Sequence, residues 1–394
     1  MVSASAAAAD AVIIGGGSTG TSAAFHLARR GAGKVFLIER AAVGSGPTGK
    51  SIGIIRLHYS YEPLIRLAAR SLAFFSRFEE ITGGTADFTR AGFLLLAAPE
   101  QMETVRANVE LQRSLGVRTS ILTPSEVAAL EPRMHVADAG GAAYEPDSGF
   151  ADGYATAASF AAAARRLGAE VWEGTAVERL VVEGRRVVAV ETSRGTVATP
   201  RVLVAAGPWT PRLLEPAGVR VPIEATRQQV IHLAPPPAFG PLTVVLEDMI
   251  QAFYARPEAG GTALAGVLEE ETQEVVSPDA FNQGADWDFV ERVGQRWQRR
   301  FPGGADAAVQ GGYASLYDVT PDWQPVLGPV DEIDGLYVAA GFSGHGFKLS
   351  PALGEALAAE MTGERPEIDI SAFHLSRFAT GALIWGRHQY GILG

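Results

Sequence analysis

Apolar residues fall along this chain in short unbroken runs that alternate with longer stretches of helical spacing. Residues 11–14 and 34–39 are apolar runs of buried-strand length, and the alanine-rich segment 21–30 between them predicts a helix. The spacing then predicts a helix over 63–82, a strand over 88–98, and helices over 99–115 and 124–130, the last capped by Thr123 or Ser125. Residues 153–167 read as an alanine-rich helix, 170–173 as a strand, and 176–182 with 186–192 as a hairpin across Glu183-Gly184. Residues 201–206 are another apolar strand, whereas 228–233, 250–256 and 262–267 read as strands of a separate sheet. A helix over 286–300 follows, and 336–340 returns to the buried-strand pattern. No internal repeat or low-complexity linker is visible. The pattern predicts an α/β fold with interleaved rather than tandem domains.

Two glycine-rich loops stand out within this pattern. Ala11-Val-Ile-Ile-Gly-Gly-Gly-Ser-Thr-Gly20 and Tyr337-Val-Ala-Ala-Gly-Phe-Ser-Gly-His-Gly-Phe-Lys348 each follow a strand-like run and lead into a helical stretch. In the first, Gly15, Gly17 and Gly20 match G-x-G-x-x-G, in which backbone N–H groups at a helix start hold a diphosphate. The next strand ends in Glu39, 19 residues after Gly20, where a carboxylate accepts ribose hydroxyls. A second loop so far away in sequence suits a ligand long enough to need both. FAD fits better than NAD.

Composition narrows the remainder. A length of 394 residues allows about two domains, and a net charge of −11 argues against nucleic acid or an anionic membrane as partner. Residues 1–10 carry no signal-peptide pattern, and no apolar stretch is long enough for a membrane span. There is no cysteine, which excludes disulfides, thiolate metal sites, cysteine nucleophiles and a cysteinyl flavin link. The seven histidines have no ligand spacing, so a soluble, cytoplasmic, metal-free protein is expected. Of 33 basic residues only Lys34, Lys50 and Lys348 are lysines, and two of these sit in glycine-rich segments.

Further motifs carry a family resemblance. Ala340 to Pro351, Thr320-Pro-Asp322 with Pro325-Val-Leu-Gly328, Val204-Ala-Ala-Gly-Pro-Trp209 and Ile54-Ile-Arg-Leu-His-Tyr59 occur in the order found in the FAD-dependent D-amino-acid oxidase family. The whole chain resembles that family, most closely its sarcosine oxidase and glycine oxidase branch. The resemblance implies a Rossmann-like FAD-binding domain (1–84, 145–215 and 325–394) interleaved with a sheet-based α+β substrate domain (85–144 and 216–324). It also implies a cofactor site formed by Gly15, Gly17, Ser18, Thr19 and Gly20, by Glu39 and Arg40, and by Thr48, Gly49, Lys50 and Ser51. Val177, Ala206, Gly207 and Trp209 complete it, together with Gly344, His345, Gly346, Phe347 and Lys348.

The same resemblance implies that Arg56 and Lys348 clamp a substrate carboxylate, a task suited to a guanidinium fork and an ammonium. Arg56 in a surface ion pair and Lys348 at the flavin N1/O2 edge are the alternatives. Tyr254 and Tyr317 would border the substrate pocket, with Tyr254 as an ordinary sheet aromatic the competing reading. His345, between two glycines, would touch the flavin ring; His58 and His232 could line the pocket, although a lone histidine is more often structural. The implied reaction is oxidation of a small amino acid or N-methyl amino acid. The amine binds neutral, hydride leaves for flavin N5, and the imine hydrolyses. A flavoprotein subunit that passes electrons to a partner protein, and an NAD-dependent dehydrogenase, are the other readings.

Two positions depart from the sarcosine oxidase pattern. The cysteine that carries the flavin there aligns with Ser315, so FAD is expected to be non-covalent. The lysine that lies over the flavin there falls on Leu264 or Ala265, with Lys50 the one candidate to replace it. The tail 384–391 extends beyond the resemblance.

Overall fold

The computed structural model describes residues 7–268 and 274–386. The ends of the chain discussed above, 1–6 and 387–394, lie outside them. Among the described residues, six strands form one sheet in the order 326–329, 336–340, 202–204, 11–14, 35–38 and 170–172. All neighbours run parallel except the antiparallel edge pair 326–329/336–340. Ile14 stands opposite Ile38 and Val204, and Val204 opposite Val338. The carboxyl ends of the strands are therefore level, and the residues that follow emerge along one edge, where such sheets bind ligands.

The helices α1 (Ser18–Arg29), α2 (Glu62–Phe75), α3 (Gly153–Arg166) and α4 (Gly346–Met361) cover one face of this sheet. Ala23, Leu27, Leu64, Phe160 and Leu353 share their apolar core with Ile13 and Leu37 of the strands. The hairpin Val177–Glu183/Arg186–Thr192 lies on the other face, where Leu180, Val190 and Val197 pack on Val12, Phe36 and Ile38. Helical spacing and unbroken apolar runs thus met as three layers. Thr123 is the residue that caps Pro124–Leu130, through Glu126 N–H.

A second sheet holds nine strands among the described residues and is largely antiparallel. Five of them escape the sequence pattern: the short edge strands Ser120–Leu122 and Glu274–Val275, and three longer ones. Gly141–Glu145 has little β-branched character, Val245–Asp248 ends in two acids, and Ala308–Val319 contains Gly311-Gly312. Ala308–Val319 pairs with Glu224–Ala234, its first half exposed and its second half buried, so it reaches from the far edge of the sheet toward the first domain. Asp248 is accommodated because Arg300 donates to it at 2.6 Å in a fully buried pair.

The Thr320-Pro-Asp322 signature has a structural job. Asp322 accepts from Arg377 at 2.8 and 3.0 Å and from Ile384 N–H, which ties the C-terminal segment to the sheet. An Asp322→Asn substitution leaves a buried guanidinium short of its charge partner. It is expected to cost about 3–5 kcal/mol, read as a lowered thermal midpoint with bound flavin retained at room temperature.

Candidate functional site

The two glycine loops open on one cavity of 610 Å³. The first loop is shaped by its glycines. Gly15 has φ +112°, and a Cβ there would meet Ala205 O at 2.3 Å; at Gly20 it would meet Gly15 O at 2.0 Å. Gly20 therefore packs helix on strand from behind the cavity wall, and Gly49, beneath Gly44 O, is set back in the same way. Every other residue expected to hold the cofactor lines the cavity.

The helices α1 and α4 both start at this wall. Neither has an acidic residue in its first turn or a cap from its own N-cap side chain, so their positive dipole ends face the cavity as a setting for an anion. Glu39 accepts from Gly16 N–H at 2.7 Å and Ala41 N–H at 2.8 Å, which fixes the carboxylate while leaving lone pairs for ribose hydroxyls. Thr48 accepts from Ser18 N–H at 3.1 Å, laying its loop over the start of α1. Arg40 stacks on Trp209 with its guanidinium 4.0 Å from the ring centroid. Asp279 accepts from Arg40 at 3.0 Å, from Trp209 Nε1 at 2.8 Å, and from Arg212. Asp279 had no signal in the sequence, being one acid in a polar loop. These residues fit a dinucleotide, with a helix start for its diphosphate and a fixed acid for its ribose.

The other end of the cavity gathers the expected substrate residues. Arg56, Tyr254, Tyr317, His345 and Lys348 all line it. Arg56 is in an ion pair, but a buried one: its Nε lies 3.3 Å from Glu247 Oε2, with side-chain exposures of 3% and 7%. Arg56 also donates to His58 O and lies over the Tyr59 ring. Lys348 is half-buried, its ammonium 3.5 Å from Gly344 O, and desolvation, reinforced by Arg56 and opposed by Glu247, pushes it down to about 7. Burial likewise raises Tyr317 to about 12 and pushes Tyr254 well above the usual phenol range, so both phenols stay protonated. His345 is held well below the usual histidine range by burial and then by Lys348. Its Nδ1 meets Tyr59 Oη at 3.1 Å, and its buried Nε2 has no protein partner, leaving a neutral imidazole at the cavity wall.

Other residues weighed from the sequence lie off the cavity wall. His58 lies outside the wall, packed toward Gln112 and lowered to about 3 by burial, and His232 stands opposite Leu264 within the second sheet. Leu264 and Ala265 are buried away from the cavity, which that strand reaches instead through Val267 and Leu268. Glu247, hidden in a strand the pattern missed, is, with Asp279, a residue of the site region that sequence reasoning lacked.

Residues 10–360 match the family model described as FAD dependent oxidoreductase (DAO). The chain belongs to this family. Among its relatives is the 4-methylaminobutanoate oxidase (formaldehyde-forming) of Paenarthrobacter nicotinovorans, 30% identical over 93% of this chain and 45% of the relative. Sarcosine oxidase subunit beta of Rhodobacter capsulatus is 26% identical over 95% of this chain and 90% of the relative. The crystal structure of L-proline dehydrogenase from P. horikoshii superposes with a TM-score of 0.89 at 27% identity, covering 96% of this chain and 100% of that one. The chain spans less than half the length of the first curated relatives it matches. Membership places the chain among FAD-dependent oxidoreductases, in place of the nicotinamide alternative. No helix among the described residues is long and apolar enough to cross a membrane.

Proposed function

We propose that this chain oxidises the C–N bond of a small amino acid or N-methyl amino acid, with FAD bound non-covalently. The observation that carries the reading is the cluster of Arg56 and Lys348 on one buried wall, beside the protonated phenols of Tyr254 and Tyr317. Arg56 and Lys348 clamp the substrate carboxylate, and the two tyrosines close the pocket and keep water out. Neutral His345 offers a hydrogen bond without adding charge. The chain's part is orientation and charge placement. FAD, when bound, supplies the hydride acceptor. The same proposal divides the chain into cofactor segments 1–84, 145–215 and 325–394 and substrate segments 85–144 and 216–324. A cytoplasmic setting belongs to it as well, supported by the cysteine-free sequence.

An anaerobic screen of sarcosine, other N-methyl amino acids, proline, glycine and D-amino acids tests the reading: at least one should bleach the flavin. Bleaching by none of them would overturn it. A second reading, a β-type subunit that delivers electrons to another chain, draws on the likeness to sarcosine oxidase subunit beta along 90% of that protein. Co-purification with a partner chain from the native source would favour it.

Non-covalent attachment has its own test. Ser315 lines the cavity and no cysteine exists, so no thioether forms. Acid precipitation should release all yellow colour into the supernatant. Colour left in the pellet would mean a covalent link through another side chain.

A further inference from the structure

Two adjacent acids of the strand Val245–Asp248 point to opposite faces of the second sheet and meet different fates. Asp248 is consumed by structure, holding Arg300 and the N–H groups of Ile250 and Gln251. Glu247 opens instead on the cavity, in register with Tyr254 on the neighbouring strand. Its Oε2 is 3.3 Å from Arg56 Nε, so any anion that also binds Arg56 is brought beside a carboxylate. Like charges held that close oppose one another. A carboxylate ligand therefore suits this wall only if it brings a positive charge of its own to Glu247. In an α-amino acid the amine sits two bonds from the carboxylate carbon, which is the reach needed to touch Glu247 while the carboxylate engages Arg56 and Lys348.

We propose that Glu247 receives the substrate's amine as a cation and makes the site selective for zwitterions over hydroxy- or alkoxycarboxylates. This rests on the amine-oxidation reading above, and it replaces the expectation that the amine binds neutral. The charges facing Glu247 support it. Arg56 is its permanent partner, Lys348 is only a part-time cation near neutral pH, and Tyr254 and Tyr317 are uncharged. Glu247 thus acts in recognition, deciding which carboxylates enter. The bound ammonium passes one proton to the Glu247 carboxylate before hydride leaves its carbon, so that the nitrogen lone pair is free to form the imine.

The test compares amines with their oxygen isosteres on the flavin-loaded protein. Sarcosine and L-proline are the amine probes, read by saturation of the anaerobic flavin-reduction rate. Methoxyacetate and tetrahydrofuran-2-carboxylate are the ether probes, read by perturbation of the flavin spectrum. In Glu247→Gln the amine that reduces the parent should bind at least about thirtyfold more weakly, while its ether binds equally well or more tightly. Equal losses for both would make Glu247 a positioning residue for Arg56 and overturn the proposal, as would no loss for either. If Glu247→Gln fails to load flavin, Glu247→Asp keeps the charge but withdraws it, and the same split between amine and ether is expected. A parent reduced by no amine would overturn the functional reading and this proposal together. A parent that is reduced, with a variant of unchanged affinity, would overturn only this one.

Discussion

Lys348→Met should yield a folded, flavin-loaded protein whose apparent substrate affinity falls by roughly thirtyfold to a few thousandfold, the range for losing one partner of a buried charged contact. The pH dependence should change with it. Burial and Arg56 lower Lys348 to about 7. The ammonium is then present below that pH and lost above it, so carboxylate affinity in the parent should weaken as pH rises through about 7. Lys348→Met lacks that limb, and the two curves should converge at high pH. Arg56→Met should lose affinity over the same range but differ in stability, because it strands Glu247 as a buried carboxylate without its guanidinium, a cost of about 3–5 kcal/mol. Adding Glu247→Gln should restore the thermal midpoint of Arg56→Met without restoring affinity. An amine lacking the carboxylate should be a poor ligand of the parent and lose little further in either variant. If both single substitutions leave substrate affinity within about threefold, Arg56 and Lys348 do not hold the carboxylate.

How much of this was legible in the sequence depended on what each signal encoded. The glycine loops were readable because their constraint is local: Gly15 needs a positive φ, and Gly20 needs a missing side chain against Gly15 O. The strands 11–14, 35–38 and 336–340 were readable because burial on both faces leaves unbroken apolar runs. Val245–Asp248 was not, because its acids look like a loop until Arg56 and Arg300 arrive from 191 and 52 residues away along the chain. The same holds for Asp279, whose partners Arg40 and Trp209 belong to other segments. Local pattern carries φ requirements and apolar periodicity. It does not carry the pairing of charges across the fold, and the site's specificity lies in that pairing.

The family resemblance carried the rest, with one qualification. It located Arg56 and Lys348 on one wall, but a residue's ionic partner does not follow from a motif. The Thr320-Pro-Asp322 signature lies close in sequence to Tyr317 but anchors Arg377 and Ile384.

Reduced flavin in this protein should react slowly with dioxygen, by roughly a hundred- to a thousandfold relative to a site with a fixed cation over the ring. The first electron transferred to oxygen creates a negative charge, and a dry pocket rewards a positive side chain already aimed at it. The strand expected to supply that side chain turns Leu264 and Ala265 into the core and reaches the cavity through Val267 and Leu268, none of them charged. Lys348 is the residue proposed above to hold the carboxylate, and it is near its midpoint at neutral pH. Lys50 is the remaining lysine on the wall, and its ammonium is tied to Gln283 Oε1 at 2.8 Å and Ala314 O at 3.3 Å, next to the Phe281 ring. Those partners hold it at the groove's rim and share its charge. We therefore expect good turnover with an artificial acceptor or a partner protein and poor turnover with oxygen alone. The measurement is to reduce the flavin with substrate, mix with aerated buffer, and time reoxidation. Fast reoxidation with one peroxide per flavin would overturn the expectation. Loss of that rate in Lys50→Met, at unchanged anaerobic reduction, would then identify Lys50 as the charge that oxygen uses.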